Sequence, residues 1–172
     1  MGQVPLHPAL VHIPLGLAIV LPLVALGVTV AIARNWLAPR SFAIVVLLQA
    51  LLLGAGFAAL KTGENEEDRV ERVVPERALH AHEEAAERFL IGAGMSLAVG
   101  AAGLFFLRRQ RTLPWIAAAA TVATVAAAGL AVGVGKPGGE LVYVHGAAAA
   151  YAGSAPSAAD AVRTGRDHDD DD

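Results

Sequence analysis

Six histidines, a set of carboxylates and no cysteine make up the chemistry-bearing side chains of this 172-residue chain. Five of the six histidines fall in three short segments: "LHPALVHIPLG" (6–16) holds His7 and His12, "ALHAHEEAAERF" (78–89) holds His80 and His82, and "GGELVYVHGA" (138–147) holds His145. Imidazole is a ligand for zinc, copper and iron, and nearby carboxylates broaden such a site. On a helix His80, Glu83, Glu84 and Glu87 share one face through spacings of three and four, whereas His82 lies off it. If Pro8 is the first helical residue, a place that suits it because its missing N–H would be unpaired anyway, His7 sits at the cap. His12 then lies a little over one turn further in, about 140° round the helix. The available metal ligands are therefore His7, His12, His80, His82, Glu83, Glu84, Glu87 and His145. Without cysteine there are no disulfides, no thiolate sites and no C-x-x-C-H attachment of c-type haem. A hydrolytic site has little support: Ser41 and Ser96 have no His and Asp company on their level, and no HExxH occurs.

The elements that must position these residues are membrane spans. Hydrophobic residues make up 55% of the chain, charged residues 17%, and the mean hydropathy is +0.53. Four uncharged runs, 13–33, 42–60, 89–107 and 113–135, reach the roughly 20 residues that cross a bilayer core. The expected fold is an all-α integral membrane protein, a four-transmembrane-helix up-and-down bundle over 1–150 followed by a disordered acidic tail, 151–172, that holds His168. The connections are "RNWLAPRS" (34–41), a polar segment at 61–88, and "RRQRT" (108–112). Pro14 and Pro22 allow a local kink in the first span, and Gly- and Ala-rich runs in the others allow close helix packing. The first span resembles a secretory signal, but it has no basic residue before it and its apolar run is too long, so it is expected to be retained. The net charge of −3 offers no footprint for nucleic acid.

With four spans the N-terminus, the 61–88 connection and the segment after the last span lie on one side of the membrane, which gathers five histidines at one mouth of the bundle. Arginine is dense in the two short loops, at Arg34, Arg40, Arg108, Arg109 and Arg111, which favours both termini outside the cytoplasm. An ionisable cluster facing inward at the edge of a membrane bundle is a functional-site hypothesis. The competing reading is a row of hydrogen-bonded boundary histidines, with "ENEEDRVE" as a solvated face.

The motifs "LHPALVHIPLGL", "LKTGENEEDRVE", "LHAHEEAAERF" and "GGELVYVHGA" resemble the signature of a widespread bacterial membrane family of four-helix proteins, domain of unknown function 2231, over residues 4 to about 148. Two positions depart from it: Ile13 stands where Phe is frequent, and "AAAAY" follows the closing HG in place of bulkier aliphatics. The resemblance singles out His7, His12, His82 with Glu83, Gly138, Gly139, Tyr143 and His145. It implies association with c-type cytochromes and so electron transfer outside the cytoplasm, in the bacterial inner membrane. "PGGELVY" reads either as a plain helix stop or as a tight turn that returns Tyr143 and His145 to the mouth.

The functional expectation is a membrane redox or electron-transfer subunit holding haem b or a non-haem metal (Fe, Cu or Zn) at the mouth, with His12 opposite His80 or His82 as the ligand pair across the bundle diagonal. A structural or assembly subunit without a cofactor, and a metal-handling protein, are the alternatives. No ionisable residue lies deep in a span, where Gln49, Ser96, Thr121 and Thr124 are the notable polar groups, which weighs against a permeation path.

Overall fold

The computed structural model describes residues 5–105 and 113–152. The loop arginines Arg108, Arg109 and Arg111, His168 and nearly all of the tail expected at 151–172 lie outside them. The described residues form helices α1 (His7–Leu10), α2 (His12–Ala33), α3 (Ala43–Val70), α4 (Glu76–Phe105), α5 (Leu113–Tyr143) and α6 (Ala149–Ala152), with a 3-10 turn at Pro39–Phe42 ahead of α3 and no strand. Four helical stretches are long and apolar enough to cross a membrane: His7–Ala33, Pro39–Val70, Glu76–Phe105 and Trp115–Tyr143. The chain is an all-α four-helix membrane bundle.

Buried positions recur at alternating spacings of three and four: 18, 21, 25, 28 in α2, 45, 49, 52, 56, 59 in α3, and 117, 120, 124, 127, 131 in α5. That is the spacing of left-handed bundle packing. The seam is lined mainly by small residues, Ala18, Ala25, Ala93, Ala117, Ala120 and Ala127, whereas Leu23, Leu47, Ile91, Met95 and Val122 point outward. Small residues inside and large aliphatics outside suit a bundle whose solvent is lipid, because close backbone approach replaces the missing hydrophobic drive. Helices α2, α3, α4 and α5 pack as a ring in that order, closing α5 onto α2. The diagonals are α2 with α4 and α3 with α5.

Two helix ends are set by residues with positive φ. Asn35, at φ 59°, ends α2, and Trp36 N donates to Ala31 O at 2.8 Å. Gly146, at φ 73°, ends α5, and Ala147 N donates to Leu141 O at 2.9 Å. Both are left-handed caps that satisfy the last carbonyls.

The polar 61–88 segment is largely helical: α3 continues to Val70 and α4 starts at Glu76, with 71–75 as the link between them. One expectation needs correction. Neither reading of "PGGELVY" holds, because α5 runs through Pro137, Gly138 and Gly139 to Tyr143. Local stop signals lose there to packing, since Leu141 is buried with Val74 and Ala147 in a small cluster that seals this end of the bundle. The turn comes one motif later, at Gly146.

Candidate functional site: a histidine pair at the mouth

The mouth is the end at which α1 begins, α3 ends, α4 begins and α5 ends. His7 enters it from the first turn of α1. The N–H groups at a helix start have no partner within the helix, and here Glu66 of α3 supplies one: Leu6 N and His7 N donate to its Oε1 at 2.8 and 3.2 Å. A carboxylate at this position also complements the helix dipole. The start of α1 is thereby fixed against α3, and the His7 ring lies on Gly63, where a Cβ would come within 3.2 Å of Cε1. His7 Nδ1 donates to Ala59 O at 2.8 Å, with the Thr62 hydroxyl 3.4 Å away. In the neutral ring this bond selects the tautomer with its proton on Nδ1.

His82 reaches the mouth from α4. Its ring lies on Gly138 of α5, where a Cβ would come 3.0 Å from Cε1 and 3.3 Å from Nδ1. Its Nδ1 is buried and has no hydrogen-bond partner. The two rings meet edge to face, centroids 6.2 Å apart and planes at 82°. His7 thus spends Nδ1 on the backbone of α3, while His82 keeps a buried Nδ1 free of protein partners. A ligating histidine is oriented as His7 is, its second nitrogen tied to a carbonyl.

The other candidate residues lie elsewhere. His12, five residues on from His7, is exposed on the outer face of α2. His80 is exposed and pairs along its own helix, Nδ1 with Glu83 Oε2 at 3.0 Å and Nε2 with Glu76 Oε1 at 3.5 Å. Glu84 pairs with Arg88, and Glu87 is exposed. His145 is half-buried beside the Gly146 cap, and Tyr143 is exposed. The ring that meets His82 across the diagonal is therefore that of His7 rather than His12. Among the described residues no three His, Cys, Asp or Glu side chains converge as a metal cluster.

Sequence reasoning missed Glu66, Tyr151 and Gly63. The Tyr151 hydroxyl donates to Glu66 Oε2 at 2.6 Å, and the Arg69 guanidinium lies 5.4 Å from the Tyr151 ring centroid. Glu66 stands within an acidic run that reads as a solvated face, and its partners are 59 to 85 residues away. A lone aromatic in an alanine run, Tyr151, was the one local signal.

The sequence model of a family described as "Predicted membrane protein (DUF2231)" matches residues 3–150. The chain belongs to this family. The match takes in both rings of the pair, Glu66 and the Gly146 cap, and stops one residue short of Tyr151. No curated protein and no solved structure matches the chain.

Proposed function

We propose that this DUF2231 protein is a membrane redox subunit whose centre is a single transition-metal ion held by His7 and His82 at the mouth of the bundle. One observation carries the reading: two imidazoles, from α1 and α4, lie 6.2 Å apart between centroids, with Nδ1 of His7 held by the Ala59 carbonyl and Nδ1 of His82 buried and unpartnered. Metal–nitrogen bonds of about 2 Å bring both rings within reach of one ion. For nitrogen donors the affinity order of divalent first-row ions peaks at copper, so copper is the ion of choice, ahead of iron and zinc. A bare ion is preferred to haem b because the rings already lie against Gly63 and Gly138, which leaves little clearance for a macrocycle between the helices. The remaining coordination positions would take water or a donor from a partner. A c-type cytochrome is the electron partner to which the motif resemblance points.

The alternative is a structural subunit in which the pair is packing. It is favoured by the lack of a third converging ligand among the described residues.

The test is metal content after exposure of the detergent-purified protein to copper(II) and removal of unbound ion, with an absorbance spectrum of the same sample. The expected result is about one copper per chain in the parent, lost in His7→Ala and His82→Ala and retained in His12→Ala and His80→Ala. A parent protein that retains no ion, or four variants that all retain it, supports the structural reading. A Soret band would replace the bare ion by haem b.

A further inference from the structure

Helix α6 is the last described element, and its path bears on the pair. Gly146, with its positive φ, turns the chain back at the end of α5, and Ala147 is buried against Val74 and Leu141. Four residues later the Tyr151 hydroxyl reaches Glu66 of α3. The 146–151 segment therefore runs from the end of α5, past Val74 in the α3–α4 link, to α3, which lies diagonally opposite α5 in the bundle. The His7–His82 pair lies across the other diagonal. Depth follows from the residues each ring touches. His7 lies on Gly63, three residues or about 4.5 Å of helix rise inside Glu66, and His82 lies on Gly138, about 7.5 Å inside the end of α5 at Tyr143. The segment is therefore on the solution side of the pair. Glu66 joins the two levels, since Oε1 holds the backbone of His7 and Oε2 holds Tyr151.

We propose that the 146–151 segment is a strap that closes the solution side of the His7–His82 pair, latched by the Tyr151–Glu66 hydrogen bond, and that it must release for an ion or an electron partner to reach the rings. The function of the strap rests on the metal reading above, but its closure does not. The latch is one charge-assisted hydrogen bond supported by the Arg69 cation stacked on the ring, strong enough to hold and weak enough to open. Tyr151→Phe removes the hydroxyl and keeps the ring, so the bundle and the Glu66 cap on α1 remain.

The experiment reads closure without any metal. The full-length protein in detergent is treated with diethylpyrocarbonate, which acylates accessible imidazole nitrogens, and the rate at each histidine is followed by peptide mass spectrometry. In the parent, His12 and His80 are expected to react fast and His7 and His82 slowly. In Tyr151→Phe, His7 and His82 are expected to react about tenfold faster, the change in open fraction that follows loss of one hydrogen bond to a charged group, with His12 unchanged. Equal rates for His7 and His82 in the parent and in Tyr151→Phe overturn the strap. A general rise that includes His12 overturns it too, because that pattern is global loosening. In parallel, copper release to a chelator is expected to be faster in Tyr151→Phe. If no form of the protein retains copper, the metal reading falls while the acylation rates still decide whether the strap exists.

Discussion

At the scale of single residues, glycines place both histidines. A Cβ on Gly138 would press on the His82 ring at 3.0 Å from Cε1, whereas one on Gly135, three residues earlier in α5, would meet nothing within 4 Å. Gly138→Ala should therefore displace the ring and cost about 1–3 kcal/mol as overpacking. Gly135→Ala should stabilise the helix by up to about 1 kcal/mol, since alanine is the better helix former. Thermal unfolding in one detergent compares them, and matching shifts in the two variants would mean that Gly138 does not seat the ring. Tyr151 makes a pH prediction at the same scale. Burial first, and then its bond to the Glu66 carboxylate, push the phenol up to about 12 from an ordinary value of 10.0. The fold favours the neutral phenol, so its contribution is complete below about pH 10 and is lost as pH rises through 12. The difference in phenolate absorbance between the parent and Tyr151→Phe isolates this group. Its midpoint is expected near 12, and a midpoint near 10 would mean that the hydroxyl does not bond Glu66.

At the scale of elements, α3 and α4 are registered by one amide. Gln49 is buried in the second turn of α3 and donates through Nε2 to Ser96 Oγ at 2.9 Å, while its Oε1 has no hydrogen-bond partner and faces Gly100 so closely that a Cβ there would overlap it. Gly100→Ala must then expel the amide from its place, leaving buried polar groups unpaired at a cost of about 1–3 kcal/mol. In the Gln49→Ala background the same change should cost less than half as much, because the overlap is gone. A double-mutant cycle of unfolding midpoints measures the coupling, and additive costs would refute it. What could be read from the sequence follows from the same physics. The four spans are visible because charge is excluded from lipid, and the gathering of five histidines at one end follows from an even number of crossings. The helix ends were hidden: Lys61 to Arg69 mark where the lipid stops, and α3 simply projects into water beyond that point. His7 and His12 were correctly set on different faces, but the choice of the inward one depends on Glu66 and Gly63, which lie more than fifty residues away. The Gly138–Gly139 pair reads locally as a helix stop, and only the His82 ring docked on Gly138 and the buried Leu141 explain why the helix continues.

At the scale of the whole molecule, the two ends of the bundle differ in kind. One carries the exposed rings of Trp36 and Trp115 together with Arg34 and Arg40, and the other carries the histidine pair, the acidic turns of α3 and α4, and the strap. Tryptophans settle at the headgroup level on either side of a membrane and so do not choose a side, whereas basic residues in short loops are retained in the cytoplasm. The stretch before His7 has no Lys or Arg, and the arginines of the two short loops, 34–41 and 108–112, are unaccompanied by acids. Lys61, Arg69, Arg72, Arg77, Arg88 and Lys136 oppose this bias by count, but they are interspersed with acids along α3, the 71–75 link, α4 and α5, whereas the loop arginines are concentrated. The expected orientation places the mouth and both termini outside the cytoplasm. A fluorescent reporter that matures only in the cytoplasm, fused after Asp172, should be dark, and a phosphatase that folds only outside should be active at the same position. Replacing Arg34 and Arg40 together with glutamine should weaken the bias and give a mixed population by the same two reporters. A bright cytoplasmic reporter on the parent chain would invert the bundle and turn the strap and the histidine pair toward the reducing compartment, where an ion held by two imidazoles would compete with abundant thiols, the stronger ligands for copper(I).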